Sequence, residues 1–61
     1  MQIAADTSAD IVNDGGDVTV DSGQTLTGTV ANDGGTLTNN GTITGLVTND
    51  DDVVASGAFD G

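Results

Sequence analysis

The chain has 61 residues, with ten Asp and no Glu, Lys, Arg, His or Cys, for a formal net charge of −10. So short a chain normally leans on a disulfide, a metal or further protein contact, and without Cys or His the disulfide and zinc routes are closed. With no basic side chain to meet a phosphate, nucleic acid and anionic membrane surfaces are excluded as partners, and no run is apolar for long enough to cross a bilayer as a helix.

In chain order, residues 1–10, "MQIAADTSAD", have neither the basic n-region nor the apolar h-region of a signal peptide. If the protein is exported, the expectation is that the chain is a mature segment or an excised piece. These residues read as a partial coil or an inter-subunit contact. Beyond them the sequence is rich in Gly, Thr, Val, Asn and Asp, which are poor helix formers. The runs "DVTVD" at 17–21, "QTLTG" at 24–28, "GTLTN" at 35–39 and "GTITG" at 41–45 alternate apolar and polar residues, as half-buried strands do. The clusters "NDGG", "DSG", "NNG" and "NDDD" predict turns between them.

A repeat orders these pieces. Asn13, Asn32 and Asn49 recur at spacings of 19 and 17. In phase with them run three apolar columns: Ile11/Val30/Val47, Val18/Leu37/Val54 and Leu26/Ile43/Phe59. Asp14/Asp33/Asp50, Gly23/Gly41/Gly57 and Gly28/Gly45/Gly61 also keep step. The two-residue excess of the first period falls in the "VDSGQT" turn, where an insertion bulges outward. The expected fold is all-β: a parallel β-solenoid of about three coils, each of 16–19 residues, with a roughly triangular cross-section. Its coils span about 11–29, 30–46 and 47–61, and the three columns line its interior. Thr25, Thr27, Thr42 and Thr44 face outward as β-branched ladders. Stacked Asn13, Asn32 and Asn49 form an amide ladder at one corner. The alternative is a disordered acidic segment, because low hydrophobicity with high charge also marks disorder.

The phrases "GTVANDGGTLTNNGTITGLVTND" and "ASGAFDG" resemble the coil repeats of bacterial autotransporter and filamentous-haemagglutinin-type passenger regions. Those repeats alternate V-x-N-x-G-x-L/I with N-G-x-I/L/F-x-G. The resemblance spans roughly Ile11 to Gly61. It implies a secreted β-helix exposed on a bacterial or similar microbial surface, acting as a stalk or adhesive scaffold. It carries no catalytic residue over.

The chemistry available is narrow. General-base and nucleophile roles reduce to Asp, Ser and Thr, so the expectation is a protein that is not an enzyme. Asp14, Asp33 and Asp50, if stacked about 5 Å apart, repel one another, and a hard cation such as Ca²⁺ relieves that through oxygen ligands. Asp51 and Asp52, standing where the previous coil has Gly34 and Gly35, add to this candidate metal site. The bland reading is an acidic corner screened by salt. "NGT" at 40–42 is formally a glycosylation acceptor, which chance explains as readily in so Asn- and Thr-rich a chain.

The terminal coils carry no Pro, no Lys and no amphipathic capping helix, and an uncapped parallel edge is a template for more strand. Counting from Phe59 into a second copy reaches Ile3 after five residues, against four from Leu26 to Val30 and from Ile43 to Val47. The expected function is structural: an extracellular solenoid segment building a fibre or adhesin stalk by coil-on-coil stacking. Its partners are then further copies, as a homo-oligomer or filament, or flanking coils of a longer parent chain. The alternative is a calcium-dependent binding module using the Asp column.

Overall fold

Threonine alternating with an aliphatic residue favours extended backbone, and corners of Asn, Asp and Gly bend it without breaking the hydrogen-bonded ladder. The structure, a computed structural model describing residues 1–60, is built of strands with no helix among the described residues. In order these are β1 (Gln2–Ile3), β2 (Thr7–Ser8), β3 (Ile11–Val20), β4 (Thr25–Thr27), β5 (Val30–Asn39), β6 (Thr42–Thr44), β7 (Val47–Asn49), β8 (Asp52–Ala55) and β9 (Ala58–Asp60). Every pairing is parallel. One sheet runs β1-β3-β5-β7 with β8 also on β5, and the other runs β2-β4-β6-β9. The chain is thus a β-solenoid of about three turns, measuring 24 × 16 × 16 Å.

Each coil has three faces. Residues 11–13, 30–32 and β7 stack as the first face, residues 17–20, 36–39 and β8 as the second, and β4, β6 and β9 as the third. The "NDGG" clusters expected as turns between strands lie inside β3 and β5, which stay hydrogen-bonded round the corner through register shifts. β1 and β2 form a half-coil on the second and third faces of the first coil, with Ile3 opposite Val20 and Thr7 opposite Leu26. Ile3 therefore belongs to the second face, not to the column of Val30 that counting from Phe59 implies.

Two apolar columns stack as expected: Ile11/Val30/Val47 and Leu26/Ile43/Phe59. The Thr pairs 25/42 and 27/44 also stack. The remaining column is corrected in its last member. Leu37 faces Val53, and Val54 faces Thr38, so Val54 is an exposed side chain rather than a core one. The cause is a shortened corner. Leu37 lies five positions beyond Asn32, and Val53 only four beyond Asn49. A second column on the same face, Ile3/Val20/Asn39/Ala55, was not visible as a repeat because its members change chemical type.

The first-period excess does fall where the spacing places it. Leu26 lies six positions beyond Val20, against four from Asn39 to Ile43, although both ends are in register. Gly23 sits in that excursion at φ 81 with open space around it. It therefore does not share the corner of Gly41 and Gly57, which press against the backbone of the coil before them. Gly28 and Gly45 do stack, and a Cβ on Gly45 would collide with the carbonyl of Gly28. Gly61, the expected third member, lies outside the described residues. The core comprises Ile3, Ile11, Val18, Val20, Leu26, Val30, Leu37 and Ile43.

Candidate functional site

The features singled out in the sequence converge on the corner between the first and second faces and on the strands of the third coil. At the corner, Asn13 Nδ2 donates to Asn32 Oδ1 at 2.8 Å, and Asn32 Nδ2 donates to Asn49 Oδ1 at 2.8 Å. The predicted ladder is therefore formed, and it has a direction. Each Asn also closes its own corner: Asn13 Nδ2 reaches Gly16 O at 2.9 Å, Asn32 Nδ2 reaches Gly35 O at 3.4 Å, and Asn49 Nδ2 reaches Asp51 O at 2.8 Å. The step is three residues in the first two coils and two in the third, as the shortened corner requires. Asn32 is fully buried and donates further to Asp52 O at 3.0 Å. No buried polar side-chain atom among the described residues lacks a partner.

The aspartates at this corner do not form the expected column. Asp14 faces Gly34, Gly16 faces Gly35, and Asp33 is skipped by the pairing. The reason is a change in which glycine takes the left-handed turn. In the first coil Gly15 has φ 106, and in the second Gly35 has φ 86, so the two corners bulge at different positions. Asp52 sits opposite Thr36, one step past the place that substitution for Gly35 implies. Asp51 turns its carboxylate back, and Oδ2 accepts the Gly35 N–H at 2.8 Å. Asp6 and Asp10 of the half-coil act alike, their Oδ1 atoms accepting the N–H groups of Thr25 at 2.9 Å and Thr29 at 3.1 Å. These carboxylates complete backbone hydrogen bonding at corners. Among the described residues no three acidic side chains come together as a metal cage would require.

The third coil has a different surface. β7, β8 and β9 each pair with a strand on one edge only among the described residues. Their inward side chains end the core columns in the open: Val53 is 36 % exposed and Phe59 is 42 % exposed. A shallow cavity of about 280 Å³ opens between Gly45, Leu46, Val47 and Phe59. Asp50, Asp51, Asp52 and Asp60 border the same end and are all exposed.

Reasoning from sequence missed Asn39, Val53 and Leu46. Asn39 is fully buried, donating from Nδ2 to Ala58 O at 2.8 Å and accepting the Gly41 N–H at 3.1 Å. The available signal was its alternation, two places beyond Leu37 in "TLTN". Asn40, the formal glycosylation acceptor, is exposed and accepts from Ser56 Oγ at 2.8 Å.

No protein-family model, curated protein or solved structure matches this chain. Its fold is therefore established from its own geometry.

Proposed function

We propose that the chain is a structural element, an extracellular β-solenoid segment that lengthens a fibre or a microbial surface stalk by adding coil upon coil. An autotransporter- or haemagglutinin-like passenger is the setting that its phrases resemble. The observation that carries the reading is the match between the two ends of the stack. From Ile3 to Thr7 is four residues, and from Ala55 to Phe59 is also four, whereas Val20 to Leu26, the turn now beside the half-coil, takes six. A second copy's half-coil thus continues β8 and β9 in register, with Ile3 over Ala55 and Thr7 over Phe59. That contact covers Val53 and Phe59, whose lower counterparts Leu37 and Ile43 are fully buried. Parallel edges left open favour such growth, and a head-to-tail contact of this kind is open-ended.

Sedimentation velocity over a rising concentration series tests this. The expected result is a concentration-dependent series of oligomers, lost in Phe59→Asp, which sets a carboxylate where the second copy's half-coil must pack. Sedimentation as a single species of one-chain mass up to millimolar concentration sinks the proposal.

A further inference from the structure

We infer that Asn40 is a site of self-modification, at which the backbone nitrogen of Gly41 attacks the Asn40 side chain and converts the residue to aspartate and isoaspartate. A bond forms from Gly41 N to Asn40 Cγ, closing a succinimide ring. The Cγ–Nδ2 bond breaks, and Nδ2 leaves as ammonia with the proton given up by the Gly41 amide. Water then opens the ring. Addition at Cγ gives aspartate, and addition at the Asn40 main-chain carbonyl gives isoaspartate, whose chain runs on through Cβ and Cγ. In sum a water enters and an ammonia leaves, so the change needs no oxidant, reductant or cofactor.

Sequence and packing together single out this residue. Asn13, Asn32 and Asn49 each precede an aspartate, and Asn39 precedes Asn40. A Cβ on the following residue crowds the attacking nitrogen, and only glycine lacks one. The amides of Asn13, Asn32, Asn39 and Asn49 are also committed to hydrogen bonds within the stack. Asn40 is exposed. Its Oδ1 accepts from Ser56 Oγ, and its Nδ2 has no protein partner among the described residues, so the leaving group faces water. Nor can the stack dispense with the glycine. A Cβ on Gly41 would run into the carbonyl oxygens of Gln24 and Asp21 in the coil before it. The glycine half of the labile pair is thus a requirement of the corner between the second and third faces.

The hydrogen bonds that close this corner also restrain the reaction. The Gly41 N–H donates to Asn39 Oδ1 at 3.1 Å, and Asn40 Oδ1 accepts from Ser56 Oγ at 2.8 Å. Both restraints lead to the third coil, because Ser56 belongs to it and Asn39 Nδ2 donates to Ala58 O at 2.8 Å. Attack therefore waits on local opening of the turn between β8 and β9. The product then prevents that turn from settling back. Asn39 to Ile43 and Ala55 to Phe59 are both four positions, so the two corners stack. Across them Gly41 O accepts the Ala58 N–H at 2.9 Å. Isoaspartate puts an extra carbon into the main chain of the lower corner alone. The new carboxylate joins a chain of net charge −10 that has no basic side chain to meet it. The stack thereby carries a timer on the hold of its third coil. Asn40 lies on a lateral corner, so the inference does not depend on what lies beyond either end.

The test incubates the folded 61-residue chain at mildly alkaline pH, beside the same chain in guanidinium chloride, and fragments it intact by mass spectrometry to place each converted residue. Conversion should occur at Asn40 before any other asparagine and run faster in denaturant. It should also speed up with pH, because the attacking nitrogen must lose its proton. Ser56→Ala should speed it about fivefold in the folded chain, the weight of one exposed hydrogen bond, and not at all in denaturant. Chains carrying isoaspartate, once separated, should lose the NMR contacts of residues 56–58 with Asn39 and Gly41 while those between β3 and β5 persist. Conversion spread evenly over the asparagines, a folded rate equal to the denatured one, an unchanged rate in Ser56→Ala, or intact third-coil contacts in the isoaspartate form would each overturn the proposal.

Discussion

The two ends of this solenoid carry the same columns and treat them oppositely. At the N-terminal end Ile3, Ile11 and Val18 are 4 %, 8 % and 3 % exposed. The third-face column finishes there in Thr7, whose hydroxyl donates to Ala5 O at 2.8 Å. At the C-terminal end the columns finish in Val53 and Phe59, with apolar surface in the open. Residue type does not separate them, since Val18 and Val53 are both valines in one column. Between Val18 and Val53 the difference is a further strand, since residues 1–3 run along the outer side of residues 18–20 whereas Val53 is paired on one side only. In a one-dimensional stack such a neighbour supplies much of the stabilisation. Ile3 and Ile11 are buried although each is paired on one side only.

This contrast is tested most sharply within a single column. Leu37→Ala removes a fully buried side chain held between Val18 and Val53 and should cost about 2–5 kcal/mol, enough to abolish cooperative urea unfolding in so small a domain. Val53→Ala, one coil away, should cost less than about 1 kcal/mol, because most of what it deletes is already near water. Similar losses at the two positions would mean that the C-terminal edge is covered in solution.

The amide ladder gives the next largest contrast. Asn32→Ala strands the Asn13 donor below it and takes a donor from Asn49 and from the carbonyls of Gly35 and Asp52. A loss of about 2–3 kcal/mol is expected from buried groups left unpaired. Asn49→Ala exposes its orphaned partners to solvent and should cost about 1 kcal/mol or less. Thermal melts of both variants check the ratio, and a costlier Asn49 would reverse the ranking of coil interior over coil edge.

The sequence made the first and third faces legible because their corners keep a constant length: Leu26 to Val30 and Ile43 to Val47 are both four residues. Where a corner changed length, the reading slipped by one. "DDDVVA" offers Val53 and Val54 side by side, so composition cannot tell which points inward, and only the shortened corner decides. The Asp column failed for a subtler cause. Its register depends on whether the third or the fourth residue of "NDGG" takes positive φ, and two adjacent glycines leave that choice to the tertiary structure. The Asn ladder was readable because Asn precedes the irregular part of each corner. The column of Ile3, Val20, Asn39 and Ala55 was hidden because burial there tolerates an amide that finds its own partners.

The smallest predicted effect concerns that irregular corner. Having lost one residue, the third coil presents Asp51 where the lower coils have glycine, and the carboxylate accepts the Gly35 N–H. If this bond compensates for the shortened corner, Asp51→Asn, which keeps an acceptor oxygen, should leave the melting temperature nearly unchanged. Asp51→Ala should lower it by about 4 °C or less, as befits an exposed hydrogen bond in a domain of this size. Salt separates the bond from the charge. With ten carboxylates and no basic side chain, screening should raise the stability of the wild type and both variants alike. A deficit in the Ala variant that persists at high salt belongs to the missing acceptor. A deficit that vanishes there would instead make Asp51 one more member of a repelling cluster, leaving the third corner held by Asn49 alone.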